Sequence, residues 1–207
     1  MTIEYENDDI VIINKPAGLA VQDITQWTPA HRLDKQTSGL LALAKNQQSL
    51  DFLRNLFKSR DITKEYLALV YGRIEKHGVI DKPLVKIGHE GSSRVRVHES
   101  GRKSVTEYWP IQSYRLGVDE FTLVRVRLHT GRTHQIRVHF AHMKHPVMGD
   151  DLYGKPNSRI LSSILSRQFL HAAKLELKLP DNTWLEVESK LPEDLQKALD
   201  KLLEVVN

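Results

Sequence analysis

Apolar and polar residues alternate, or apolar ones gather in short runs, along most of this 207-residue chain, and helical spacing is confined to a few segments. Residues 3–5 and the apolar run 10–13, separated by Glu6-Asn7-Asp8-Asp9, predict a β-hairpin. Lys15-Pro16-Ala17-Gly18 ends the second strand, because proline removes a ladder donor and glycine admits a turn. Residues 39–44 predict a short buried strand. Asn46 then caps a helix in which Leu50, Leu53, Leu56 and Phe57 recur at helical spacing. Residues 65–72 return to strand, with Tyr66, Ala68 and Val70 on one face. Two further strands are predicted at 93–98 and 105–109, on either side of a turn at Gly101. In a third, at 121–129, Phe121 and Leu123 oppose Val124 and Val126, and Arg125 and Arg127 share the face opposite those valines. Thr133 opens a helix to about Met143, and strands follow at 174–179 and 184–188. A final helix after Leu191-Pro192 packs Leu195, Leu199, Leu202 and Leu203 inward. Strands outnumber helices and do not alternate with them one for one. The pattern therefore predicts an α+β fold with a largely antiparallel sheet flanked by helices, not a doubly wound parallel one.

A length of 207 residues with 40% hydrophobic content suits a single domain, 1–207, with a real core. The absence of cysteine removes disulfides and thiolate chemistry. No apolar run approaches the roughly 20 residues of a membrane span. The acidic start MTIEYENDDI lacks the basic-then-apolar order of a signal peptide. A cytoplasmic protein is the expectation. The net charge of +4 is modest but unevenly spread. Residues 121–149 contain no acid, while they hold Arg125, Arg127, Arg132, Arg137 and Lys144 with five histidines. A second basic stretch carries Lys86, Arg94, Arg96, Arg102 and Lys103. Concentrated positive charge attracts polyanions and points to nucleic acid.

Two strings carry candidate chemistry. In the first, His31-Arg32-Leu33-Asp34-Lys35-Gln36-Thr37-Ser38-Gly39, one acid lies between a basic doublet and a small-residue turn. A carboxylate can act as a nucleophile if it stays ionised, and an arginine within about 4–6 Å lowers its pKa by about 1–3 units. Taken alone, Asp34 is better read as a turn cap, and it is the full string that reverses this. The second string is Leu128-His129-Thr130-Gly131-Arg132-Thr133-His134-Gln135-Ile136-Arg137, followed by His145-Pro146-Val147-Met148-Gly149-Asp150. Together, and in this order, the strings resemble the motifs of the RluA-type RNA pseudouridine synthases. Lys64-Glu65-Tyr66-Leu67-Ala68-Leu69-Val70 is similar to that family's tyrosine strand, and Asn14-Lys15-Pro16-Ala17-Gly18 to its first motif.

The resemblance implies a bare catalytic domain without an N-terminal RNA-binding appendage, built on a long bent sheet with a central catalytic cleft. It implies a nucleophilic role for Asp34, which attacks either the uracil ring or the ribose anomeric carbon. A stacking or general-base role falls to Tyr66, and a place against the catalytic carboxylate to Arg137. Arg32, Arg132, His134 and Leu170 are the implied substrate-binding residues, with Arg132 on phosphate and Leu170 flooring the uracil pocket; Lys15 shapes the cleft. No metal and no cofactor is implied. The implied partner is structured RNA, ribosomal or transfer, with the target uridine in a loop or bulge, and the implied protein is a monomer. Two other readings are open at this point. One is a non-catalytic RNA-binding module, against which Asp34 itself argues. The other is a metal-dependent hydrolase built on His134, His139, His142 and His145, against which the lack of neighbouring acids or thiolates argues. Only twelve residues separate Gly18 from His31, fewer than in many members of that family.

Overall fold

Asn7 closes the first turn: its side-chain oxygen accepts the amides of Asp9 at 2.9 Å and Ile10 at 2.7 Å. The flanking residues form the predicted hairpin, β1 (Thr2–Glu6) and β2 (Ile10–Lys15). The computed structural model describes residues 1–88, 94–154 and 164–205; Ser93, where the sequence begins a strand, lies outside them. The described residues hold thirteen strands and three α-helices, a mixed α+β fold in which almost every strand pair is antiparallel. They group into two compact units, the first comprising 1–66 and 171–191, the second 67–170 and 192–205.

In the first unit the strand order is β1-β2-β4-β11, where β4 is Ser38–Ala44 and β11 is Leu170–Lys178. The short β3 (Thr28–Pro29) adds to β4, and β12 (Trp184–Glu188) to β11. Helix α1 (Gln47–Ser59) starts where predicted. Asn46 accepts the Ser49 amide at 2.8 Å, and Ser49 Oγ returns a contact to the Asn46 amide at 3.3 Å. Leu50 and Leu53 bury against Ile10, Ile12, Leu40, Ala42, Ile62, Leu175 and Leu177, while Leu56 and Phe57 pack at the margin. All seven residues of β4 are buried, which explains an apolar run with no alternation. Strand β5 (Ile62–Tyr71) begins in this unit and carries Tyr66.

In the second unit β9 (Val105–Leu116) pairs with β10 (Asp119–Leu128), β6 (Gly78–Asp81) and β13 (Leu203–Val205). Strands β7 (Leu84–Lys86) and β8 (Val95–Val97) form a separate ribbon. The sequence is corrected at three places. The strand expected at 105–109 extends to Leu116 as β9, which has three partners of its own, while β8 pairs with β7. The helix expected from Thr133 is α2 (Gln135–His142), and its cap His134 has φ 54°. Gln135 holds the preceding turn by accepting the Thr130 hydroxyl at 2.8 Å and the Arg132 amide at 3.0 Å. The last helix, α3 (Glu193–Asp200), is shorter than its leucine spacing suggests. Leu195, Leu199 and Leu202 are buried, but Leu203 is 73% exposed because the chain has switched to β13.

Candidate active site

Asp34 sits in a turn that the first unit holds at both ends. Its own carbonyl accepts the Thr37 amide at 3.0 Å, and the carbonyl of Lys35 accepts the Gly18 amide at 2.9 Å. Lys15 adds a third restraint. Its side chain is fully buried, and Nζ donates to the carbonyls of Pro16 at 2.8 Å, Leu19 at 2.9 Å and Lys35 at 3.2 Å. A buried ammonium is costly unless its hydrogens are all engaged, and three carbonyls engage three. Lys15 thus ties the 16–19 segment to the Asp34 turn. Leu33 is buried beneath that turn, Asp34 is half-buried, and Arg32 is exposed.

His31 is a structural member of the motif. Its Nε2 accepts the Ala42 amide at 3.0 Å, and its ring lies 4.4 Å from that of Phe57. Burial, then the positive charge of Lys64, lowers its pKa to about 3, so the imidazole is neutral and free to accept from within β4. Tyr66 is buried, and its phenol is pushed well above the ordinary range by burial first and then by the negative charge of Asp34. The carboxylate and the phenol are therefore in electrostatic reach of each other. A phenol so shifted stays protonated near neutral pH, which suits it to stacking and hydrogen-bond donation more than to service as a base.

Arg137 is in the second unit, on α2. Its side chain is 4% exposed and forks onto Asp150, with Nε 2.7 Å from Oδ2 and Nη2 2.8 Å from Oδ1. Asp151 adds a contact at 3.3 Å, and the guanidinium lies over the Tyr153 ring at 5.2 Å. Asp150 Oδ1 also accepts the amides of Leu152 and Tyr153 at 2.9 and 3.1 Å. Gly149 is required just before it: φ is 74°, and a Cβ there would lie 2.0 Å from the Arg167 carbonyl oxygen. The Gly-Asp of the second string thus supports the arginine. Sequence reasoning quoted Asp150 without assigning this role; a buried arginine in need of an acid was the available signal. Tyr153 had no such signal in the sequence.

The other expected substrate-binding residues differ in environment. His134 is 9% exposed, and its Nδ1 lies 2.9 Å from the Tyr153 hydroxyl, so it and Arg137 converge on one ring. Arg132 is half-buried, with Nε 3.4 Å from the Lys103 carbonyl. Leu170 is 4% exposed at the start of β11, as a core residue is. Arg125 and Arg127 share one face of β10 and lie 5.0 and 5.6 Å from the Trp109 ring, with His77 stacked on that ring at 5.0 Å.

The histidine cluster disperses. His139 Nε2 donates to the Lys82 carbonyl at 2.9 Å, and its Nδ1 lies 2.8 Å from the Thr106 hydroxyl. His145 Nδ1 lies 2.7 Å from the Tyr71 carbonyl, whereas His142 is exposed. Among the described residues no three His, Asp or Glu side chains come together as a metal site. No helix among them is long and apolar enough to cross a membrane.

The first unit thus holds a half-buried carboxylate on a clamped turn in electrostatic reach of a buried phenol, and the second holds an arginine fixed by its own aspartate. Comparison with known proteins gives the family. Residues 9–142 match the model of the RNA pseudouridylate synthase family, and the chain belongs to it. "Ribosomal large subunit pseudouridine synthase D" of Haemophilus ducreyi is 35% identical over 98% of this chain and 70% of its own length. Among solved structures, human RNA pseudouridylate synthase domain containing 1 matches 99% of this chain and 88% of its own at a TM-score of 0.85 and 28% identity. Human RNA pseudouridylate synthase domain containing 4 matches 97% and 93% at 0.80 and 26%. The chain is an isomerase acting on RNA, and the α+β architecture is that of its structural neighbours.

Proposed function

We propose that this enzyme converts a uridine in a loop or bulge of ribosomal RNA to pseudouridine, with Asp34 as the nucleophile. The observation that carries the assignment is the Asp34 turn, clamped through Lys15, Gly18 and Thr37, with its carboxylate in electrostatic reach of the protonated Tyr66 phenol. The names of relatives such as the Haemophilus ducreyi protein favour large-subunit ribosomal RNA over transfer RNA.

The reaction balances without a co-reactant. The Asp34 carboxylate adds to the uracil ring or to the ribose anomeric carbon, and the bond from that carbon to N1 breaks. The uracil turns, C5 bonds to the anomeric carbon, C5 loses its proton, N1 gains one, and the carboxylate is released. Tyr66 packs against the base, and Leu170 supplies the apolar floor. Arg137, held by Asp150, is the catalytic cation, while Arg32 and Arg132 hold phosphates. His134 acts through Tyr153, and the protein works as a monomer in the cytoplasm.

The test incubates RNA from a strain lacking the gene with wild-type protein or Asp34→Ala and maps new pseudouridines. Sites formed by the wild type alone, in ribosomal RNA, are expected. New sites in transfer RNA only would move the substrate. Sites formed equally by Asp34→Ala would overturn the nucleophile.

A further inference from the structure

Three strands meet in one row at the exit of the Asp34 turn. Lys15 of β2 faces Gly39 of β4, and Gly39 faces Ala172 of β11 in a short parallel pairing that also sets Ser38 against His171. Gly39 has φ 112°, and a Cβ there would lie 2.2 Å from the Ala172 carbonyl oxygen and 2.6 Å from its amide nitrogen. Strand β11 is thus pressed against β4 at a point where no side chain fits. His171 is fully buried beside that contact. Its Nε2 lies 3.3 Å from the Ser189 carbonyl and its Nδ1 3.0 Å from the Ser38 hydroxyl. A carbonyl only accepts, so Nε2 carries the hydrogen; in the neutral ring Nδ1 then accepts, and the Ser38 hydroxyl donates. Ser189 is held in its turn by Asn14 Nδ2 at 2.8 Å, one residue before Lys15.

We infer that His171 is a positioning residue for the nucleophile, acting through Ser38 to anchor the downstream end of the Asp34 turn, whose Lys35 carbonyl Lys15 already holds. The inference rests on Asp34 being the nucleophile. A hydrogen-bonded Ser38 fixes β4 four residues after Asp34, and the Thr37 amide passes that restraint to the Asp34 carbonyl at 3.0 Å. Catalytic groups need to be held within about 0.5 Å of their productive position, and a misplacement of about 1 Å can cost on the order of a hundredfold in rate. The hydroxyl of Thr-Ser-Gly is on this reading an anchor, and its glycine is what lets β11 bring the imidazole close enough to take it.

The experiment uses the full chain in five forms: wild type, Ser38→Ala, Ser38→Thr, His171→Gln and Ser189→Ala. Amide exchange of Thr37 and Gly18 reads the turn without any substrate. Single-turnover rate and RNA affinity on the substrate mapped above read its effect. Ser38→Ala and His171→Gln are expected to speed exchange at Thr37 at least about tenfold and to slow turnover about ten- to a hundredfold, with RNA affinity within about twofold. Ser38→Thr, which keeps the hydroxyl, should restore both, and Ser189→Ala, which removes the Asn14 contact but keeps the carbonyl that His171 faces, should leave the rate within about twofold. Unchanged Thr37 exchange in Ser38→Ala overturns the inference, as does a rate loss that Ser189→Ala shares in proportion to lost stability. If His171→Gln does not fold, the Ser38 pair decides. A wild type that modifies no RNA refutes the proposed reaction, while the exchange data still decide the anchor.

Discussion

Asp150 fixes Arg137 from below, and neither side chain has water to fall back on: the aspartate is fully buried and the arginine 4% exposed. Removing one charge of a buried pair strands the other, at a cost of about 3–5 kcal/mol. Asp150→Asn should therefore lower unfolding free energy by about 3 kcal/mol in denaturant titration, with exposed Asp151 limiting the loss; a change below about 1 kcal/mol would contradict the assignment. His139 gives a pH prediction. Burial lowers its pKa to about 4, with the Lys82 carbonyl opposing the shift and the charge of His142 adding to it. The folded state then binds fewer protons than the unfolded one between pH ~6.5 and ~4, so stability falls as pH drops through that window and is recovered above it. The slope from this residue is about 1 kcal/mol per pH unit, and His139→Gln should flatten it in urea titrations at pH 7, 6 and 5. At this scale the sequence was readable where a motif singles a residue out as a candidate, as HRLDKQTSG does Asp34, which alone suits a turn cap. It was opaque where the use depends on a distant partner, as with Asp150 and Tyr153 for Arg137, or Ser38 for His171.

Among the elements, local signals predicted what local forces decide. Asn46 caps α1 through its own neighbours, and Asn46→Ala should cost about 1 kcal/mol. Pattern reading failed where pairing is non-local. Residues 105–109 are one end of a twelve-residue strand that reaches Leu116, and Leu203, spaced as a helix core position, is exposed on β13. No periodicity in a short segment distinguishes those outcomes, because the partner strand decides them. Gly39 is the converse case: its need for φ 112° and for an unobstructed Ala172 is tertiary, but the glycine itself was visible in the motif. Gly39→Ala should destabilise by about 3 kcal/mol or more and remove soluble, folded protein, as thermal unfolding would show.

At the scale of the whole molecule, the mixed α+β architecture was legible from strands that outnumber helices, and the family from two motifs far apart in the chain. Asp34, Tyr66 and Lys15 belong to one compact unit and Arg137 and Asp150 to the other, a division that no composition shift announces. A base must leave its stack to reach a carboxylate, which costs a few kcal/mol and least in loops. Moving the target uridine into an uninterrupted duplex should therefore abolish modification, and undiminished modification there would contradict the loop preference. The chemistry itself is tested most directly by RNA carrying tritium at C5 of uridine, since forming the new carbon–carbon bond expels that hydrogen. Wild-type protein should release tritium to water in step with the number of sites modified, and Asp34→Asn should bind the same RNA and release none. Equal release by both proteins, or none from the wild type on RNA it binds, would contradict the account.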